Sequence, residues 1–186
     1  MPSLDPAMPI NIARHLTNAN YPAAVQRRRV LWTCLRPFFR WSPRQLHGWR
    51  VWLLRLLGAR IGRRVQIYPT ARVMFPWNLE VADDVIIGWE VNLYSLTTIS
   101  IADNVLISQG AHLCAGSHDH RRDNYPLVLK PVRVESGAWL AAECFIGPGV
   151  TVGAGAVVAA RAVAVRDVPA GAVVAGNPAR QVGASP

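Results

Sequence analysis

Residues 137–158 read GAWLAAECFIGPGVTVGAGAVV, and within them Leu140, Ile146, Val152 and Val158 fall six residues apart. A half-buried strand repeats its apolar residue every second position, and a helix every third or fourth. A period of six fits neither. It fits a coil of three short flat strands in which one aliphatic residue per strand points into a narrow triangular prism. The residue after each aliphatic is small (Ala141, Gly147, Gly153, Ala159), which leaves room for a corner.

The same count runs backwards through the chain. Ile61, Ile67, Val73 and Leu79 are six apart; the register then shifts by two, and Val81, Ile87, Leu93 and Ile99 follow. A second shift of two leads to Ile101, Ile107 and Leu113. Coils thus take 18 residues, or 20 where two are added at a corner, and each satisfies its backbone through the coils above and below. We expect an all-β solenoid, a parallel β-helix of about 4–5 coils over residues 59–182.

The count lapses once, in GAHLCAGSHDHRRDNYPLVLKP (110–131), and resumes at Val134, 33 residues after Ile101. The third coil is therefore opened at a corner by roughly 13 to 15 residues more than the other coils need. We place this loop at 115–133. A loop leaving a rigid scaffold is where function concentrates.

Residues 22–58 have a different pattern, which predicts a helical cap over the first coil. Ser42-Pro43-Arg44-Gln45 reads as a helix start, with Ser as N-cap and Gln closing a capping box. Gly58 reads as its stop. Leu46, Trp49, Leu53, Leu56 and Leu57 fall at helical spacing, with Arg44, Arg50 and Arg55 assigned to another face. An earlier helix is expected over about 23–35, ending before Pro37. Residues 1–21 and 183–186 are read as tails.

The net charge is +9, and it is unevenly placed. Residues 1–64 hold twelve of the twenty basic residues and a single acidic one, Asp5, so the basicity belongs to the cap. Dispersed arginines on helices give little support to a nucleic-acid partner; Trp, Leu and Arg together suit the surface of an anionic membrane. No run of 18 apolar residues predicts a transmembrane helix, and the N-terminus lacks a secretory pattern. Three dispersed cysteines, Cys34, Cys114 and Cys144, fit a reducing compartment. The reading is cytoplasmic, with peripheral association at the inner membrane face through residues 22–58.

The hexapeptide pattern resembles the left-handed β-helix acyltransferases. LISQGAHLCAGSHD (106–119), GAWLAAECFIGPGVTVGAGAVV (137–158) and RDVPAGAVVAGNPAR (166–180) look like the maltose and galactoside O-acetyltransferase branch. Within it they are most similar to acetyltransferases of colanic acid and other exopolysaccharide gene clusters, whose helical start SPRQLHGWRVWLLRLLGARIG (42–62) also resembles. The resemblance covers roughly residues 25–182. It implies a left-handed coil, transfer of acetyl from acetyl-CoA to a sugar or glycan hydroxyl, a homotrimer with active sites between neighbouring prisms, and no metal.

Residue by residue, the resemblance implies that His118 is the catalytic histidine and that Asn92 binds the acceptor. It implies that Ala142 and Ala160 line the pantetheine path, with Arg166 and Arg180 at the nucleotide end. The run AARAVAV (159–165) departs from the family's Gly-rich turn and following Lys, at Arg161 and Val165. The chemistry supports the choice of histidine, whose pKa of about 6.5 lets it take a hydroxyl proton and return it to a leaving thiol. His112, one strand earlier, is read as structural or acceptor-lining, and His120 as a surface loop residue. Glu143 or Asp119 could orient the imidazole as a triad acid does; Asp119 and Tyr125 are also placed at the acceptor. Backbone N–H groups near 140–143 are the expected oxyanion donors. Cys114 is read as wall packing.

Three alternatives stay open on the sequence. One is N-acetylation of an amino sugar. A second is a zinc enzyme resembling the β-helical carbonic anhydrases, on His112, His118 and His120, although their spacing does not match that family's ligands. The third is a non-catalytic scaffold, against which the intact GSHD stands.

Overall fold

The computed structural model describes residues 21–185; the tail expected over 1–21 lies outside them except for Tyr21. Strands of two to five residues stack into three parallel ladders, which are the faces of a prism. Face A carries Arg60–Ile61, Leu79–Val81, Ile99–Ile101, Val132–Val134 and Thr151–Val152, and Val168 bridges to Val152 beyond them. Face B runs from Gln66–Ile67 to Ala172–Ala175, and face C from Arg72–Val73 to Val163–Ala164. Both face A, counting the Val168 bridge, and face B have six levels, so the prism has about six coils and not 4–5. The last coil escaped the count because Val157 pairs with Val173, a step of 16 that breaks the rhythm.

Ile61, Ile67, Val81, Ile87, Leu93, Ile107, Leu113, Leu140, Ile146, Val152 and Val158 are all buried along the axis. The small residues beside them are required by backbone contact: a Cβ on Gly153 would lie 2.5 Å from the Ala170 nitrogen. Register steps of 20 in the first three coils (Arg60 with Glu80, Asn92 with His112) become 33 across the interruption and then 18. The extra residues enter at one corner, between faces C and A. There Ser95 is fully buried, and its hydroxyl exchanges 3.0 Å bonds with the backbone of Phe75.

The interruption is an ordered arm. Gly116–His118 pairs antiparallel with Leu127–Leu129, and the chain is back on face A at Val132, two residues sooner than the 115–133 boundary. The C-terminus also differs from the reading as a tail. Arg180–Ala184 folds back antiparallel on Ala172–Ala175 and covers the edge of face B.

The cap consists of helices α1 (Ala23–Arg40) and α2 (His47–Leu56). α1 continues through Pro37, because the missing N–H costs one bond in the last turn while Phe39 beyond it is buried. The expected capping box does not form. α2 begins at His47 without a side-chain cap, and the Ser42 hydroxyl donates to Phe39 O instead.

The largest correction is Arg50, assigned to a face apart from the apolar one but fully buried. Within the stack, the N–H after each inward aliphatic donates to an inward aliphatic's carbonyl in the next coil, as Gly62 does to Val81, Tyr68 to Ile87 and Met74 to Leu93. The carbonyls of Ile61, Ile67 and Val73 have no coil before them. The cap supplies their donors: Arg55 Nε to Ile61 O (2.9 Å), Arg50 Nε to Ile67 O (2.6 Å) and Trp32 Nε1 to Val73 O (2.9 Å). The rest of the Arg50 guanidinium is satisfied by Ser42 Oγ, Pro43 O and Arg44 O, and burial lowers its pKa.

Arg50→Met, close in volume, should therefore cost about 3 kcal/mol in urea unfolding, since it removes the shortest contact to Ile67 O, leaving His47 Nδ1 there at 3.0 Å, and takes a donor from each of Ser42 Oγ, Pro43 O and Arg44 O. An unchanged midpoint would remove Arg50 from this role.

Candidate functional site

His118 ends the first strand of the arm, and its Nδ1 lies 2.7 Å from Tyr125 O. A carbonyl only accepts, so Nδ1 is the donor, and in the neutral ring Nε2 is the basic nitrogen. The orienting group is thus the Tyr125 backbone, held by the turn in which Asp119 N–H donates to Pro126 O and Tyr125 N–H to Arg122 O. Asp119 itself structures the turn, its Oδ1 accepting from Arg121 N–H at 3.0 Å. Glu143 stands at the corner between faces B and C in left-handed backbone, φ +58°. Its Oε2 accepts from Arg161 Nε at 2.7 Å, and this bond holds the carboxyl below the ordinary carboxylate range. Within one chain, Glu143 therefore pairs with a guanidinium, and the Tyr125 carbonyl holds His118 Nδ1.

Asn92 and His112 are register partners on face C, with Asn92 Nδ2 3.3 Å from His112 Nε2. The amide nitrogen donates, so His112 accepts on Nε2 and carries its proton on Nδ1. The ring stands edge-on to Phe145 at 5.2 Å and to Tyr94 at 6.3 Å, and burial pushes its pKa down. Cys114 lies beside them, its thiol donating to Gly116 O. Cys144 is buried with its thiol pushed up to about 12, which suits packing.

A groove of about 480 Å³ runs along face B to the B–C corner. Ala142 and Ala160 line it as expected, together with Ser108, Gln109, Trp139 and Ala141. The indole of Trp139 is half exposed, with Nε1 donating to Ser108 Oγ at 3.0 Å. Sequence reading missed Trp139. The signal was its place just before the inward Leu140, where the strand points outward and the stacked neighbours are the aliphatics Leu106 and Val157.

The groove also presents backbone donors. Ala141 N–H goes to Val158 O, Glu143 N–H to Gln109 O and Arg161 N–H to Ala142 O. Among the described residues, no intramolecular acceptor meets the N–H groups of Gln109, Ala142 or Ala160, one per coil at the same corner. Arg166 and Arg180 are exposed and lie outside the groove's lining. A larger, shallow depression of about 600 Å³ on face A holds none of these residues, and its Glu80 is paired with Arg60. Among the described residues, no group of three His, Cys, Asp or Glu side chains is arranged to hold a metal ion.

One chain does not bring these parts together. The His118 arm leaves the prism at the C–A corner, whereas the groove lies on face B and at the B–C corner, with face C between them.

No protein-family model matches the sequence. The chain is 43% identical over 151 residues to a protein of Escherichia coli K12 named colanic acid biosynthesis acetyltransferase WcaF, covering 81% of this chain and 83% of that one. It is 25% identical over 133 residues to the galactoside O-acetyltransferase of the same organism, covering 70% and 66%. Among solved structures, a hexapeptide-repeat-containing acetyltransferase of Vibrio cholerae superposes with a TM-score of 0.81 at 27% identity, covering 93% of this chain and 98% of the other. The same Vibrio protein complexed with acetyl coenzyme A superposes with a TM-score of 0.79 at 26% identity, covering 92% and 96%.

The burial of neutral His112 has a measurable sign. Its folded pKa lies below the unfolded value of 6.5. The stability it contributes is therefore present above that pH and lost as pH falls through it toward the folded pKa. Unfolding measured from neutral to acidic pH should show this loss in the wild type and less of it in His112→Gln; equal slopes would contradict the assignment.

Proposed function

The chain belongs to the hexapeptide-repeat acetyltransferases, and on that footing we propose that it moves an acetyl group from acetyl-CoA to a hydroxyl of a sugar in an exopolysaccharide precursor. Acetyl-CoA supplies the activated acyl thioester. The observation that carries the reading is His118 at the root of the arm, its Nδ1 donating to Tyr125 O, which makes Nε2 the basic nitrogen of the neutral ring. Nε2 takes the acceptor's hydroxyl proton as the oxygen forms its bond to the acyl carbon. As the carbon–sulfur bond breaks, the same nitrogen returns that proton to the leaving thiol. The N–H groups of Ala142 and Ala160 face the groove without an internal acceptor. Ala142 supplies the donor for the developing oxyanion, and Ala160 with Gln109 bonds the carbonyls of the pantetheine arm. Trp139 lies along the same path, and exposed Arg166 and Arg180 serve the phosphates. Asn92, its amide nitrogen engaged by His112, offers Oδ1 to an acceptor hydroxyl.

The separation of arm and groove supports an assembly in which the arm of one copy meets the groove of the next. Such a head-to-tail contact closes into a ring, and on a triangular prism the natural ring is the homotrimer. We place this trimer in the cytoplasm, at the inner face of the membrane.

His118→Ala should lower kcat about 10²- to 10⁴-fold, the usual contribution of a positioned general base, while leaving acetyl-CoA binding and the unfolding midpoint unchanged. The assay follows thiol release from acetyl-CoA across a panel of sugar acceptors, with mass spectrometry of the product. A variant with undiminished turnover would exclude His118 as the base. A product acetylated on nitrogen would move the reading to an amino sugar.

A further inference from the structure

The cap helices are apolar on two sides, and only one side is used by the prism. Trp32 and Phe39 of α1, and Arg50, Val51, Leu53 and Leu54 of α2, face inward. On the outer side of α1, Leu31, Cys34, Phe38 and Trp41, just past its end, follow one another at steps of three or four residues and are exposed. Trp49, Trp52 and Leu56 form the corresponding stripe on α2. The two stripes join. Trp49 stacks on Trp52 with centroids 5.1 Å apart, and its Nε1 donates to Phe38 O at 3.2 Å. Phe38, Trp41 and Trp49 line one open cleft, with Trp41 82% exposed. Nothing in the prism's stability requires these rings to face outward, and a contiguous exposed aromatic patch marks an interaction surface.

The charge around the patch selects the partner. Residues 6–79 contain no carboxylate at all, and Arg27 and Arg36 are exposed on α1, while Arg28 lies over the Trp77 ring, Arg40 faces Glu90 at 3.6 Å and Arg44 donates to the Tyr68 hydroxyl. A second copy docked face to face would set arginines against arginines, which disfavours self-association through this surface. Rings that are amphipathic or flat, carried on helices that hold arginines and no acidic residue, match the interfacial layer of an anionic bilayer. Trp and Phe enter the acyl boundary there while Arg meets lipid phosphate. No described helix is long and apolar enough to cross a membrane, so the association is peripheral.

We propose that the outer face of the cap, centred on Phe38, Trp41, Trp49 and Trp52, docks the protein on an anionic phospholipid surface. This deepens the membrane location proposed above and does not depend on the transfer chemistry. Coils stack about 4.8 Å apart, so the third coil, which bears the arm, lies about 10 Å along the axis from the first. Cyclic symmetry sets every copy's cap at the same height, so one membrane can engage all of them. An acceptor anchored in that membrane would then be presented near the arms.

The full-length protein is sedimented with vesicles of equimolar phosphatidylcholine and phosphatidylglycerol, and with vesicles of phosphatidylcholine alone. We expect binding to the first that weakens with salt, little binding to the second, and a blue shift of tryptophan emission. Trp41→Ala, and separately Phe38→Ser, should reduce partitioning about tenfold, with turnover of a soluble acceptor unchanged. Absence of binding to the anionic vesicles would overturn the proposal. So would undiminished binding of both variants, which would assign the patch to residues 1–20 or to another copy. Loss of turnover with intact vesicle binding would instead strike the transfer reading.

Discussion

In this solenoid each coil borrows half of its backbone hydrogen bonding from its neighbour, so the inward positions are satisfied along the stack and exposed only at its ends. At the first coil three inward positions, Ile61, Ile67 and Val73, carry carbonyls with no preceding N–H. A different side chain of the cap reaches each of them: Arg55, Arg50 and Trp32. The cap is therefore the missing coil, rebuilt from side-chain donors. This explains why a cation without a carboxylate partner is tolerated in the interior, since Arg50 is surrounded by oxygen acceptors. At the other end Arg180–Ala184 performs the corresponding service for face B with backbone alone.

Once the ends are closed, the interior tolerates variation at one place. The corner between faces C and A takes two extra residues in the first two coils and the whole arm in the third. The B–C corner behaves in the opposite way. Its left-handed residues, Glu90, Gly110, Glu143 and Arg161, recur over four successive coils, and beside the last three the N–H groups of Gln109, Ala142 and Ala160 have no acceptor among the described residues. The arm with His118 thus sits on the permissive corner, and the recurrent donors sit on the constrained one. A site that needs both has to be assembled from two copies.

The period of six made the prism, the interruption and the cap legible in the sequence, because only small residues fit the corners and only aliphatics fit the axis. His118, Ala142 and Ala160 were singled out by resemblance, and the structure places the two alanines in the groove and His118 on the arm. The group that orients His118 was not legible, because Tyr125 contributes its carbonyl and any residue has one. Arg50 was misplaced because an amphipathic pattern assigns arginine to solvent. The counter-signal was the lack of any acidic residue between positions 6 and 79, together with the need to close the first coil. Glu143 was expected as a candidate triad acid; within the chain its carboxylate accepts from Arg161, a partner that no sequence pattern announced.

The central claim is that His118 of one copy works on the groove of another. Two variants test it together: His118→Ala, which lacks the base, and Ala160→Phe, which fills the groove at an exposed position. Each alone should be nearly inactive. When they are unfolded, mixed in equal amounts and refolded, random assembly pairs an intact arm with an intact groove at about a quarter of the sites. Recovery of about that fraction of wild-type turnover is the predicted result; a mixture as inactive as its components would place the whole site within one chain.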